Sequence, residues 1–232
     1  MRKGIFVTGT DTGVGKTVVT AALAAGLRAR GLRVGVMKPA ETGCAQRDGE
    51  LVPEDALFLR AAAECQAPLE LICPYRLPEP LAPALAAELA GVEIEMERLQ
   101  SCYAELAASH DVVLVEGAGG LLVPLTATHT MRDLAAALDL PVLVVSRNVL
   151  GTINHTLLTL EALRERPVLG VVLNAAQRPD DRAAASNARA LRQWAAAPLL
   201  ATLPHVPAVT ADVIRALGAM LPLERFVPKE TR

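Results

Sequence analysis

The residues of this chain that can do chemistry cluster behind glycines. Gly13-Val14-Gly15-Lys16-Thr17-Val18 closes a run, Gly9-Thr10-Asp11-Thr12, that follows the apolar stretch from Ile5 to Thr8 and precedes an Ala/Leu-rich segment of helical period. Strand, glycine turn, Gly-Lys-Thr and helix in that order let backbone N–H groups and a helix N-terminus hold phosphate oxygens. Lys16 would then bridge the outer phosphates. The Thr17 hydroxyl is a contact for Mg²⁺, a hard ion that fills its other positions with water, carboxylates and phosphate oxygens. Five residues separate Gly9 from Gly15, where the usual phosphate loop has four, so this is a variant form. The plain alternative, a tight turn at a helix start, is disfavoured by the strand and helix that flank it correctly.

Glu116 follows Val112-Val113-Leu114-Val115 and precedes Gly117-Ala118-Gly119-Gly120. A carboxylate at that strand end faces the edge where a Mg²⁺ on Thr17 would lie, and the glycines permit close backbone approach to phosphate; a solvated strand-end acid is the alternative. Asp55 opens a helix after Pro53-Glu54, either as a third metal contact or as a helix N-terminal charge. Lys38 follows a strand and precedes Pro39, which fixes its backbone and directs the ammonium toward the phosphates, where it could stabilise a transferring phosphoryl group; a surface lysine is the other reading. In Leu150-Gly151-Thr152-Ile153-Asn154-His155, His155 reads as solvated or capping. Asn154 or the N–H groups of that helix start could hold a carboxylate.

These groups need a frame that brings several loops to one edge. Short Val-rich runs alternate with longer Ala/Leu/Arg segments, the pattern of a mostly parallel sheet with helices on both faces. The runs place strands near Ile5–Thr8, Arg33–Met37, Val112–Val115, Val142–Ser146, Val168–Leu173 and Leu199–Leu203. Helices are expected over Lys16–Arg30, Asp55–Glu64, Ile94–Ser109, Ile153–Arg166 and Asp180–Trp194. The proline-rich stretch from Pro74 to Pro83 reads as an irregular loop near the site. In such an α/β fold of the P-loop NTPase type, ligands bind outside the carboxyl ends of the strands, where the glycine-rich loops meet.

Composition narrows the partners. The chain has 232 residues, enough for one domain spanning 1–232, and a net charge of −2 that gives nucleic acid or an anionic membrane no footprint. Mean hydropathy is +0.33, but Glu116, Asp139, Arg147 and Glu161 interrupt the most apolar half before any run of about eighteen apolar residues. A soluble protein is expected. Aromatics reach only 3%, which argues against an aromatic-rich binding face. Cys44, Cys65, Cys73 and Cys102 form no CxxC pair and have no His at metal-ligand spacing, so they read as reduced cytosolic thiols. No export signal stands at the N-terminus, and a cytoplasmic location is expected.

Taken in order, the motifs resemble the dethiobiotin synthetase family along nearly the whole chain. They are Thr8-Gly9-Thr10-Asp11-Thr12 with Val14-Gly15-Lys16-Thr17, Lys38-Pro39 with Thr42-Gly43, Glu54-Asp55-Ala56, Glu79-Pro80 with Ala82-Pro83, Glu116 to Gly120, Leu150-Gly151 with Ile153-Asn154-His155, and Asn174. The resemblance implies a homodimer of P-loop subunits that closes the ureido ring of dethiobiotin from 7,8-diaminononanoate, CO₂ or bicarbonate, and ATP with Mg²⁺. It assigns Thr17, Asp55 and Glu116 to Mg²⁺, and Lys16 and Lys38 to the phosphates and carbamate. Gly13 to Val18 and Gly117, Ala118 and Gly119 would surround the nucleotide, with Asn174 facing the adenine and Pro204, His205 and Val206 lining it. Thr12 and Thr42 would meet the substrate, and Leu150, Gly151, Thr152 and Asn154 would receive its carboxylate across the dimer interface. One departure is visible: Ala84 stands where the family often has histidine after the Ala-Pro pair.

Two rivals share the phosphate loop. Partitioning and carrier ATPases, which switch partner binding with nucleotide, usually carry a second lysine early in the loop, where this chain has Asp11. Amidotransferases of the cobyrinate type carry a further domain with a nucleophilic cysteine, and too little chain follows Asn174 for one.

Overall fold

The computed structural model describes residues 3–176 and 182–227. The first half runs β1 (Gly4–Gly9), α1 (Lys16–Arg28), β2 (Val34–Met37), β3 (Ala40–Thr42), β4 (Ala45–Arg47), β5 (Glu50–Val52), α2 (Glu54–Ala63), α3 (Leu69–Ile72), β6 (Tyr75–Leu77) and α4 (Pro83–Ala90). The second runs α5 (Met96–Ser109), β7 (Val112–Gly120), α6 (Met131–Ala137), β8 (Val142–Arg147), α7 (Thr152–Ala162), β9 (Val168–Asn174), α8 (Arg182–Trp194), β10 (Leu199–Leu203) and α9 (Ala211–Ala219).

Six strands form one parallel sheet in the order β10-β9-β8-β1-β7-β2. β1 lies between β7 and β8, so the chain leaves it toward either side and a crevice opens beyond its carboxyl end. The strands are mostly apolar because helices cover both faces, and their polar residues gather toward the carboxyl ends. Ile5, Val7, Leu114 and Val145 point into one core, shared with Leu23 and Leu27 of α1, Leu59 of α2 and Leu217 of α9. Phe6, Val113, Val115 and Val144 point into the other, with Leu99 and Leu106 of α5 and Leu134 of α6. This alternation decides where the polar ends go. Val36 and Leu114 belong to the α1/α2 face, so two residues later Lys38 and Glu116 continue on that same face.

The expected strands all occur, and the differences have local causes. β7 runs on through Glu116 to Gly120, since Val7 pairs with Glu116 and, after a shift of register, Gly9 pairs with Gly120; Glu116 is therefore inside a strand and not at its end. α1 stops at Arg28, two residues before Arg30, where Gly31 at φ 84° takes the left-handed turn. α7 stops at Ala162, short of Arg166, and the proline at 167 disfavours helix in the residue before it. The start expected for the next helix, Asp180, lies outside the described residues.

The proline-rich stretch is more ordered than a loop. Tyr75–Leu77 forms β6, paired in parallel with β3, and Pro83 opens α4. Ala84 contributes its backbone N–H to the Pro124 carbonyl at 3.2 Å. Among the described residues no helix is long and apolar enough to cross a membrane, and all four cysteines are free and buried.

Candidate active site

The phosphate loop is held from three sides. Gly13 at φ 69° and Gly15 at φ 91° occupy the left-handed region that favours glycine. Asn174, the last residue of β9, donates from Nδ2 to the Val14 carbonyl at 2.9 Å. It sits so close that a Cβ on Gly15 would lie 2.1 Å from that nitrogen. Arg147, at the end of β8, donates to the Thr12 carbonyl at 2.8 Å, while its Nε is buried with no partner. Lys16 folds back over the loop, its ammonium donating to the carbonyls of Asp11 at 3.2 Å and Gly119 at 2.7 Å. Burial lowers its pKa to about 8, with Lys38 pushing the same way and Glu116, Asp55 and Asp11 opposing.

On the neighbouring face Glu116 is fully buried. Its Oε1 accepts from the Thr17 hydroxyl at 2.9 Å and from the Lys38 ammonium at 2.5 Å. Lys38 reaches on to Asp55 Oδ2 at 2.7 Å. Lys38 is thus buried between two carboxylates, unlike the surface lysine of the alternative reading. Burial opposes its charge, but Glu116 and Asp55 outweigh that and hold its pKa above the ordinary lysine range. Glu116 Oε2 is buried without a partner, and an orphaned carboxylate oxygen is costly unless something cationic completes it.

That oxygen is the test of a metal. Thr17, Asp55 and Glu116 converge around Lys38 and offer one hydroxyl and two carboxylates, hard oxygen donors that suit Mg²⁺. Among the described residues no group of three or more His, Cys, Asp or Glu side chains could hold a metal ion. An ion here would take its other contacts from water and phosphate, as Mg²⁺ does in nucleotide sites. The residues fit.

Two participants carry no local sequence signal. Arg147 acts on the loop from β8, a contact between residues far apart in the chain. Glu41, in β3, accepts from the backbone N–H groups of Asp55 and Ala56, both at 2.9 Å. Burial pushes the Glu41 pKa up, against those two bonds, which pull it down. Pro53 is a hint to Glu41, since a helix that starts after proline has no side-chain oxygen of its own to cap it.

A cavity of about 490 Å³ collects most of the expected residues: Thr12, Gly13, Gly15, Lys16, Thr17, Val18, Lys38, Thr42, Asp55, Glu116, Ala118, Gly119, Asn174, Pro204, His205 and Val206 line it, together with Glu41. Its size suits a nucleotide-scale ligand. Val14 is buried behind the loop, and a Cβ on Gly117 would meet the Phe6 ring at 3.2 Å. Leu150, Gly151, Thr152 and Asn154 do not line the cavity. Gly151 starts α7 at φ 93°, Leu150 is 80% exposed, Asn154 is exposed, and the buried Thr152 hydroxyl bonds Ser146 at 2.6 Å. His155 is exposed on the first turn of α7.

Residues 3–213 match the family described as AAA domain. The chain is 51% identical over 221 residues to the ATP-dependent dethiobiotin synthetase BioD of Anaeromyxobacter sp. (strain K), a match that spans 94% of this chain and 97% of the relative. It is 42% identical over 224 residues to the protein of that name from Thermodesulfovibrio yellowstonii, spanning 92% and 93%. Among solved structures it is similar to the septum site-determining protein MinD complexed with Mg-ADP from Pyrococcus horikoshii OT3, with a TM-score of 0.58 at 19% identity over 97% of this chain and 94% of that one. It is also similar to a ParA family ATPase from Chlorobium tepidum TLS, with a TM-score of 0.53 at 16% identity over 99% and 95%. The structural likenesses are of fold alone. The full-length identity to the synthetases goes further, and by it the chain belongs to the dethiobiotin synthetase family of ATP-dependent ligases.

Proposed function

We propose that this chain, as one cytoplasmic synthetase domain over residues 1–232, closes the ureido ring of dethiobiotin from 7,8-diaminononanoate, CO₂ and ATP, in biotin biosynthesis. The observation that carries the reading is the convergence of Lys16, Lys38, Thr17, Glu116 and Asp55 in one cavity. One substrate amine adds to CO₂ and loses a proton to give a carbamate. A carbamate oxygen attacks the γ-phosphorus and ADP leaves; the second amine then attacks the carbonyl carbon of the resulting carbamic-phosphoric anhydride, and phosphate leaves as the ring closes.

Each charged group has a task in that sequence. The carbamate and the triphosphate are both anions and approach only if cations screen them. Lys16, at the loop, serves the outer phosphates. Lys38, whose pKa is raised by its carboxylate neighbours, stays an ammonium at neutral pH and serves the carbamate. Thr17, Asp55 and Glu116 would hold Mg²⁺, which supplies further charge neutralisation at the phosphates. Thr12 and Thr42 orient the diamine, so that the ring-closing attack becomes an intramolecular step. Asn174, with Pro204, His205 and Val206, bounds the adenine.

The residues expected to receive the substrate carboxylate do not line this cavity. We assign that carboxylate to the Gly151–Asn154 helix start of a second subunit in a homodimer, a reading supported by the segment's absence from the cavity of its own chain and by the exposed Leu150 and Leu158 beside it. The deciding experiment incubates the protein with diaminononanoate, bicarbonate, Mg²⁺ and ATP. ADP release that requires the diamine and yields dethiobiotin is expected. Turnover indifferent to the diamine would instead favour a nucleotide-dependent binding switch.

A further inference from the structure

We propose that Glu41 is a positioning residue for the metal-binding edge, fixing Asp55 by holding the first turn of α2; the inference rests on the reading of Thr17, Asp55 and Glu116 as Mg²⁺ contacts. α2 starts after Pro53 and has no side-chain cap of its own. Its cap comes from β3: one Glu41 oxygen accepts from the Asp55 N–H and the other from the Ala56 N–H, both at 2.9 Å. With both oxygens committed to the helix, Glu41 acts on the metal edge through Asp55 and not as a ligand itself.

The arrangement is rigid at one end and loose at the other. Glu41 is buried and sits in a ladder with Arg76 of β6, between Ala40 paired to Tyr75 and Thr42 paired to Leu77. Asp55 has a side chain 45% exposed, and its carboxylate meets Lys38. Glu54 on the same turn pairs outward with Arg47, where both side chains are exposed, so it offers the turn no substitute anchor. Without Glu41, two N–H groups lose their acceptors and the turn that carries Asp55 is free to fray. The neighbouring Thr42 lines the cavity from the same strand, so β3 would align the metal and substrate sides together.

The test measures the affinity of a non-hydrolysable ATP analogue with saturating Mn²⁺ and again with EDTA; the ratio reads the metal's contribution and needs no turnover. Partners that orient a metal ligand are typically worth about 10-fold or more in metal affinity. Glu41→Ala should lower the ratio by about that factor, through a weaker affinity with Mn²⁺ present. Glu41→Gln, which keeps one accepting oxygen, should fall between and carries the test if the alanine variant does not fold. Adding Glu41→Ala to Asp55→Asn should lower the ratio no further, because both changes act at one point. A wild-type ratio in both Glu41 variants, or additive losses in the double variant, would overturn the proposal. A wild-type ratio in Asp55→Asn would overturn the metal reading itself, and this inference with it.

Discussion

Replacing Gly15 by alanine should cost the fold about 2–4 kcal/mol, through two separable effects. Gly15 stands at φ 91°, and an L residue in the left-handed region costs roughly 1–2 kcal/mol. The new Cβ would also fall 2.1 Å from Asn174 Nδ2. The amide must swing away and give up its 2.9 Å bond to the Val14 carbonyl, leaving a buried acceptor at a cost of about 1–3 kcal/mol. Alanine returns about 0.4–1 kcal/mol by restricting the unfolded chain. For a chain of this size about 2–4 °C accompanies each kcal/mol, so the melting temperature should drop on the order of 10 °C. Calorimetry reads the loss, and nucleotide titration should show weakened binding, because Asn174 borders the cavity. The decisive control is the same change in an Asn174→Ala background, where only the backbone strain remains and the cost should shrink to about 1 kcal/mol. A wild-type melting temperature for Gly15→Ala, or an equal cost in both backgrounds, would refute the packing argument.

Lys16→Ala should abolish turnover and weaken ATP binding; a wild-type rate would remove the phosphate-loop assignment. Lys16 also predicts a pH dependence: burial lowers its pKa to about 8, so in EDTA it is an ammonium below that pH and loses its proton above it. ATP affinity in EDTA should therefore hold up to about pH 8 and then fall by at most about tenfold per pH unit, a decline that Lys16→Ala should lack. Lys38→Ala should lower kcat with a smaller effect on ATP affinity, and it leaves Glu116 and Asp55 without their shared cation, which should cost about 3–5 kcal/mol of stability; a collapse of affinity with kcat intact would make Lys38 a ground-state nucleotide contact. Subunits carrying Lys16→Ala and Gly151→Phe should each be inactive alone, yet re-equilibrated heterodimers should recover about half of the wild-type activity, since one site receives both defects and the other neither. A Cβ on Gly151 meets nothing within 4 Å, but at φ 93° any side chain there costs roughly 1–2 kcal/mol of backbone strain, so the melting temperature of the Gly151→Phe subunit is measured alongside. No recovery despite demonstrated subunit exchange would place the carboxylate pocket in the same chain.

What the sequence made legible was local. Short Val- and Leu-rich runs marked all six strands of the sheet, and the order strand, Gly-Val-Gly-Lys-Thr, helix marked the loop, because each signal lies within about ten residues. Period-two alternation even carries Lys38 and Glu116 to one face, although reading Glu116 as the end of its strand hid how deeply it is buried. Most of the misses are tertiary. Tyr75–Leu77 is a strand only because β3 lies beside it, and three residues among prolines give no periodicity to read. Glu41 and Arg147 look like ordinary charged residues until β3 meets α2 and β8 meets the phosphate loop. The helix at 131–137 carries a capping box, Thr130 with Asp133, that the sequence does display.

Among the charges lining the cavity, carboxylates outnumber ammonium groups. Two ammonium groups, Lys16 and Lys38, face three carboxylates, Glu41, Asp55 and Glu116. A cavity meant for a triphosphate and a carbamate would be expected to be positive, and this one is not. Lys38 is already committed to Glu116 and Asp55, and Lys16, whose pKa burial lowers to about 8, is held by two carbonyls. A polyanion entering alone would meet charge of its own sign. On the proposed reading the missing charge would come with the nucleotide: Thr17, Asp55 and Glu116 would hold a divalent cation, with the orphaned Glu116 oxygen as one contact, and Lys38 would share its carboxylates with that ion and turn its ammonium to the carbamate. The carboxylates would then tie nucleotide affinity to the metal, and Glu41, by fixing Asp55, would set how tightly.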